Sequence, residues 1–354
     1  MSVESYKCSG CGAPISFNPK IGGFKCVYCG KTCTEEELAT FLEQTEAKNE
    51  QKCKHAAASG TDASDDEVMQ YTCPSCGAEV VVGDTAATSF CYYCHSPVII
   101  ESRLRGDFKP DKIIPFKIDK KDAVEKFSEW IKGKRYVPSD FTAKAQDANI
   151  VGMYLPYWDI DVAVNVDYHA TGIKRTTWQQ GDNEYTKTDE YQIDRTGKLS
   201  YNNMRELAFS KINQDLINGI NPYNAADEKK FSSGYLSGFQ SERYTVGREF
   251  ITPVAQNRAK SYTISDIHNS TGCNTFANVR DNTTYSIDDV RYTLLPTWVL
   301  NYKYKGKDYQ FAVNGQTGKS YGDLPVSNGK LLVHSLALGV LVALLAVLGG
   351  LFLW

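Results

Sequence analysis

The clearest periodic stretch of the chain runs from Asp159 to Tyr168. Ile160, Val162, Val164, Val166 and Tyr168 alternate with Asp159, Asp161, Ala163, Asn165 and Asp167. A period of two predicts an antiparallel strand with one face on a core and the other in water, which places Asp159 and Asp161 on the solvated face. Upstream, Ile113-Ile114-Pro115-Phe116 reads as a short strand, and Asp119 reads as the cap of a helix carrying Val124, Phe127, Trp130 and Ile131 on one face. Downstream, Met204 to Asn218, with Leu207, Ile212 and Leu216, reads as helical. Leu295-Pro296-Thr297-Trp298 matches the pattern of Leu155-Pro156-Tyr157-Trp158. Each precedes a strand, a reversal, a second strand and Thr-Gly-Lys (196–198 and 317–319), with the reversal tight at Lys305-Gly306-Lys307 and longer in the first copy. Residues 102–325 are therefore expected to form an α+β body with antiparallel strands and an internal repeat of a strand-hairpin unit.

Both ends depart from this pattern. From Leu331 to Trp354 there is no Asp, Glu, Lys or Arg. As a helix that run rises about 36 Å, enough for a hydrocarbon core of about 30 Å. Residues 326–354 are thus expected to be a C-terminal transmembrane anchor, contacting the membrane through 331–354, with Trp354 at the far interface. Lys330 just before the run places the soluble part in the cytoplasm by the positive-inside rule, as a single-pass, tail-anchored protein of the cell membrane. Near the N-terminus, Thr34-Glu35-Glu36-Glu37 is a capping box opening a helix with Leu38, Phe41 and Leu42 on one side. Residues 45–70 hold no core-forming run and read as a flexible linker within a segment 34–70, so the units on either side are expected to move relative to each other.

Cysteine spacing changes the picture of those units. Cys8-Ser-Gly-Cys11 precedes Cys26-Val-Tyr-Cys29, and Cys73-Pro-Ser-Cys76 precedes Cys91-Tyr-Tyr-Cys94, with the same interval in both. Two C-x-x-C turns joined by a short antiparallel excursion supply four thiolates to a tetrahedral zinc ion without a large core. Residues 1–33 and 71–101 are therefore expected to be zinc ribbons, each holding one structural zinc ion. Gly12, Gly30 and Gly77 suit the knuckle turns, where positive φ is often needed, and His95 stands where a fourth glycine would be. A disulfide framework fits poorly with an N-terminus that lacks a secretory signal. Cys91-Tyr-Tyr-Cys94-His95 matches a haem-attachment string, which leaves Cys73 and Cys76 unexplained, and redox C-x-x-C would need a thioredoxin-like context. Cys33, Cys53 and Cys273 have no partner at ligand spacing, although Cys33 lies near enough to the first ribbon to substitute for a ligand.

Together the ribbons, Ile114-Pro115-Phe116, Gly152-Met153-Tyr154-Leu155-Pro156-Tyr157-Trp158, Tyr235-Leu236-Ser237-Gly238-Phe239, Leu295-Pro296-Thr297-Trp298 and Asn314-Gly315-Gln316-Thr317-Gly318-Lys319 resemble bacterial TFIIB-type zinc-ribbon-containing membrane proteins of the YdjG-like kind, over nearly the whole chain. His95 in place of glycine is a departure from the knuckle pattern. The resemblance implies membrane-associated partners of the envelope-stress classes, phage-shock and flotillin-like. Some such proteins carry a primosomal-helicase label, and the residues here do not fit it. A P-loop needs four residues between its glycines, whereas Gly315-Gln316-Thr317-Gly318-Lys319-Ser320 has two and reads as a strand-end turn.

Charge narrows the function classes. A net charge of −3 gives no general pull toward nucleic acid or anionic lipid. No Lys or Arg occurs between Lys54 and Arg103, while Asp62, Asp65, Asp66, Glu67, Glu79, Asp84 and Glu101 are acidic, so the second ribbon should repel phosphate. The first, with Lys7, Lys20, Lys25 and Lys31, is mildly basic and keeps nucleic-acid binding as the alternative. Five scattered histidines and the lack of H-E-x-x-H or G-x-S-x-G give no catalytic constellation. The expectation is a non-enzymatic adaptor that presents protein-interaction surfaces at the membrane.

Overall fold

The computed structural model describes residues 3–4, 6–38, 40, 69–73, 76, 78–83, 85–91, 96–104, 106–144 and 149–352. Phe41, Leu42, the 45–68 part of the linker, Cys53, Gly77, Cys94 and His95 lie outside the described residues.

After a short β1 (Val3–Glu4), the first cysteine unit is a three-stranded sheet of β2 (Ile15–Asn18), β3 (Gly23–Cys26) and β4 (Thr32–Cys33). Ile15, Phe17 and Phe24 are buried on it. Its exit is the capping box: the Thr34 amide donates to Glu37 Oε2 at 2.9 Å, and the Glu37 amide donates to Thr34 Oγ1 at 3.2 Å. The second unit pairs β5 (Met69–Thr72) with β6 (Glu79–Val82), and β7 (Thr88–Phe90) with β8 (Pro97–Ile100). β1 completes the latter sheet, with Val3 opposite Ile100. The two units are therefore joined by backbone pairing as well as by the intervening chain.

The body is a mixed α+β structure built mostly of sheet. Its elements are β9 (Lys112–Ile113), α1 (Lys120–Lys132), α2 (Ser139–Lys144), β10 (Asn149–Gln180), β11 (Asn183–Leu207), α3 (Gln214–Gly219), β12 (Lys229–Lys230), β13 (Gln240–Ser241), α4 (Arg248–Thr271), β14 (Thr275–Asp281), β15 (Thr284–Tyr304), β16 (Lys307–Asn314), β17 (Ser320–Gly322) and α5 (Asn328–Phe352). The sheet runs β11-β10-β15-β16-β17, with the shorter strands flanking it. Asp119 caps α1 by accepting from the Asp122 amide at 2.8 Å. Phe127 and Ile131 are buried beneath that helix, as its stripe predicts.

Several expectations are corrected. Met204–Leu207 is the end of β11, paired with Ile160 to Tyr157, and only Gln214–Gly219 is α-helical in that region. The first reversal is as tight as the second, two residues at 181–182, and the length lies in its arms. The two Leu-Pro strings sit side by side on antiparallel strands, with Leu155 opposite Leu295. Their Thr-Gly-Lys strings are not equivalent. Thr196 and Lys198 lie within β11 opposite Asp167 and Asn165, whereas 317–319 is the turn between β16 and β17, held by Asn314 Oδ1 accepting from the Gln316 and Thr317 amides.

Asp159 is not solvated. It is fully buried, because between Tyr154 and Ile160 the strand is covered on both faces. Arg205 Nε donates to its Oδ1 at 3.0 Å and Thr293 Oγ1 donates to its Oδ2 at 3.0 Å, from the two flanking strands. Burial raises its pKa against the pull of Arg205. Asp161 behaves as a partly exposed ion-pair partner: Arg291 binds both of its oxygens, at 2.7 and 2.9 Å, and holds its carboxyl below the usual range.

α5 is the one helix among the described residues long and apolar enough to cross a membrane, and none of its apolar window, Asn328–Ala346, is buried. Its base is fastened to the 134–138 loop. The Ser327 amide donates to the Tyr136 carbonyl at 2.8 Å, and Lys330 Nζ donates to the Val137 carbonyl at 2.7 Å.

Candidate metal centres

Each half of a candidate centre is built by the same local device. The first cysteine of each C-x-x-C donates its amide to the carbonyl five residues on: Cys8 to Ala13 at 2.7 Å, Cys26 to Lys31 at 2.9 Å, Cys73 to Ala78 at 2.7 Å and Cys91 to Ser96 at 3.0 Å. In the first unit the turn closes further, with the Gly12 and Gly30 amides donating to the Cys8 and Cys26 carbonyls. Both glycines adopt positive φ, 74° and 73°, the conformation that knuckle turns often need. The leading cysteines are buried and Cys11, Cys29 and Cys76 are exposed, so the knuckles at Cys8, Cys26 and Cys73 each fix one thiol from below and one from the rim.

The knuckles converge. The sulfurs of Cys8, Cys11, Cys26 and Cys29 all lie within 4.8 Å of one another, as do those of Cys73, Cys76 and Cys91. The closest pairs are Cys8–Cys29 at 3.6 Å, Cys11–Cys26 at 3.5 Å and Cys76–Cys91 at 3.6 Å. A tetrahedral zinc site with bonds of about 2.3 Å has sulfur–sulfur edges of about 3.8 Å. The donor set is consistent with zinc. Electrostatics agree: the Gly10 and Cys11 amides hold the Cys8 thiol down to about 6. Cys11, although the Ala13 amide lowers it, is pushed up to about 12 by the other thiols, Cys29 and Cys26 foremost. Four thiols this close cannot all ionise unless a cation neutralises them. Cys94, the eighth expected ligand, lies outside the described residues. Cys33 is outside the clusters, half-buried, its thiol raised by burial and by Glu37 and Cys8.

Spacing did not reveal how the units are seated. Residues 233–243 form a strap that both units grip. From the first, the Phe17 amide donates to the Ser237 carbonyl at 3.0 Å, and Ser237 Oγ donates to the Ile15 carbonyl at 2.6 Å. Tyr235 meets the Phe17 ring edge-on at 5.1 Å and Phe24 at 6.2 Å, and its hydroxyl donates to Glu35. From the second, the Ala87 amide donates to the Ser241 carbonyl at 2.7 Å, and Thr88 Oγ1 donates to the Phe239 carbonyl at 2.9 Å. Cys8 and Cys26 belong to the same hydrophobic cluster as Phe116, Tyr154, Tyr235 and Phe239 of the body. The second unit keeps a cluster of its own, Tyr71, Cys73, Val82, Cys91, Val98 and Ile100.

Fold and sites define a class: an α+β protein with two N-terminal cysteine clusters able to hold metal and a C-terminal apolar helix. The chain belongs to the YdjG family. It is 32% identical over 330 residues to the uncharacterized protein YdjG of Bacillus subtilis (strain 168), a match that covers 93% of this chain and 92% of that protein. No protein-family model matches the chain, and no solved structure does.

Proposed function

We propose that the protein is a tail-anchored, non-enzymatic adaptor. Residues 1–33 and 71–101 are zinc ribbons, each with one structural zinc ion, and α5 anchors the chain in the cell membrane with the rest in the cytoplasm. Four thiolates complete a tetrahedral shell and leave no position for a reacting water, so the metal's part is structural. The observation that carries the reading is the knuckle tip of the first ribbon: Val27 and Tyr28 are 77% and 72% exposed between two thiols that a metal would immobilise. An apolar pair on a rigid, exposed turn suits contact with another protein. Other membrane-associated proteins, of the envelope-stress or flotillin-like classes, are the partners the resemblance favours.

Nucleic-acid binding is the rival, and a specific contact weakens it. Lys20, one of four lysines of the first ribbon, is already bound by Asp119 and Asp122 at 3.0 and 3.4 Å. The test is to crosslink the tagged full-length protein in cells and compare wild type with Val27→Ser/Tyr28→Ser. Membrane proteins captured by wild type and lost from the variant support the adaptor. Nucleic acid recovered from wild type and shed at raised salt would overturn it.

A further inference from the structure

The three segments around the base of α5 carry a localised positive charge. Residues 134–140, 303–308 and 327–334 hold Lys134, Arg135, Lys303, Lys305, Lys307 and Lys330, against only Asp140 and Asp308, in a chain whose net charge is −3. They are linked by direct contacts. The 134–138 loop is bound to Ser327 and Lys330, and Tyr136 meets the His334 ring edge-on at 5.6 Å, one turn into the apolar helix. The loop runs into α2, whose Phe141 packs against Tyr302, Tyr304 and Tyr309 of the β15–β16 hairpin at 5.0, 5.1 and 5.8 Å. Tyr304 Oη donates to Asp140 at 2.7 Å, so one of the two carboxylates is engaged from within.

The ammonium groups are held against aromatic faces. Lys134 lies 4.9 Å from the Trp130 ring centroid, Lys305 5.0 Å from that of Tyr304 and Lys307 5.4 Å from that of Tyr309. Lys305 is 71% exposed, 3.9 Å from Asp140. Lysines on a ring of tyrosines, joined through the 134–141 segment to the first turns of an apolar helix, match the chemistry of a headgroup layer, where aromatic and cationic side chains concentrate.

We infer that this collar is a second membrane contact, which binds anionic lipid headgroups and seats the body against the bilayer. The inference rests on the proposal that α5 spans the membrane. The collar's occupant is the lipid surface because the patch is continuous with the helix that enters it.

The full-length chain would be reconstituted into nanodiscs of phosphatidylcholine alone and of phosphatidylcholine with phosphatidylglycerol. The rate of lysine acetylation would be read by mass spectrometry at Lys134, Lys305 and Lys307, relative to Lys187 on the β10–β11 hairpin. Each cation near a charged surface contributes about a fivefold preference, so acetylation should be slowed about fivefold in the anionic discs. Raised salt should reverse the protection, and Lys303→Glu/Lys305→Glu/Lys307→Glu should abolish it at Lys134. Equal rates in both kinds of disc, with the chain co-eluting with each, would overturn the collar and leave the anchor standing. Protection produced in phosphatidylcholine discs by inorganic phosphate or an oligonucleotide would overturn it in favour of a soluble anion. A chain that fails to co-elute with either disc would refute the anchor, and the collar with it.

Discussion

Tyr235→Ala tests whether the first cysteine unit and the body are one folded structure. Tyr235 is 1% exposed, with its ring in contact with Phe17 and Phe24 of that unit and its hydroxyl on Glu35. Deleting a buried aromatic ring costs about 3–5 kcal/mol. In a chain of this size that lowers the melting midpoint by about 5 °C. Folding of a ribbon is linked to its metal, so whatever part of the cost falls on docking must also appear as weaker metal binding. With half on the ribbon side, about 2 kcal/mol, zinc at Cys8, Cys11, Cys26 and Cys29 should be held about 30-fold more weakly. Chelator competition on the detergent-solubilised full-length protein reads this directly. The Cys73, Cys76 and Cys91 site, which has its own hydrophobic cluster, serves as the internal reference. Tyr235→Phe keeps the ring and loses only the hydroxyl's bonds, about 1 kcal/mol, and should restore most of the affinity. If Tyr235→Ala melts early yet leaves the first site's affinity unchanged, the shared core is energetically idle and the reasoning fails.

Gly238→Ala probes the same strap without a cavity: φ is +95° and the added carbon would stand 3.0 Å from Ser16 Cβ, so a loss of about 1–2 kcal/mol and weaker zinc at the first site are expected, read by the same competition. Cys73→Ser/Cys76→Ser should lose one zinc equivalent by metal analysis while the first site stays filled, and the body's melting midpoint should fall by less than in Tyr235→Ala; loss of both ions would refute the separation of the two clusters. His169 is bonded by Asp194 at 2.6 Å and Asp167 at 2.9 Å, and these carboxylates hold its pKa above the ordinary 6.5. The folded state therefore binds this proton more tightly than the unfolded state, so the stability it contributes is complete below about pH 6.5 and is lost as pH rises through the folded value. His169→Asn should flatten the fall of the melting midpoint above pH 6.5, and an imidazole titration in the wild type at or below 6.5 would contradict the geometry.

What was legible in the sequence is what short spacing determines. The C-x-x-C knuckles, the Thr34–Glu37 box, the Asp119 cap and the Ile160–Tyr168 alternation are each closed by bonds or packing within a few residues or one strand period. α4 was not legible because its buried face, Ile251, Ala255, Ala259, Thr263 and Ile267, is dominated by small side chains and gives little apolar signal. The arms of the β10–β11 hairpin were missed because 174–180 and 183–190 are almost wholly exposed and polar, so alternation had nothing to mark. Asp159 read as solvated because its partners Arg205 and Thr293 are 46 and 134 residues away, and the strap escaped notice because Ser237 meets Ile15 across 222 residues.

Those distant contacts bear on how an adaptor of this build would work. The strap is itself part of the sheet: β13 pairs with β10 at Met153 and Tyr154. Phe239 of the strap stacks on Phe116 at 4.1 Å, and a side-chain carbon at Gly152 would stand 2.7 Å from Phe239 and 2.9 Å from Trp298. β15, which carries Trp298, continues to Tyr304 and the hairpin of the basic collar. The path from the knuckle at Val27–Tyr28 to the base of α5 therefore passes through ring-on-ring packing and paired backbone, without needing the 45–68 chain. A partner bound at that knuckle would be presented at a set height and orientation above the membrane. On this reading zinc loss from the first site would act on presentation before it acted on anchoring, because the thiolates share their core with the strap while α5 is fastened separately, through Tyr136 and Val137.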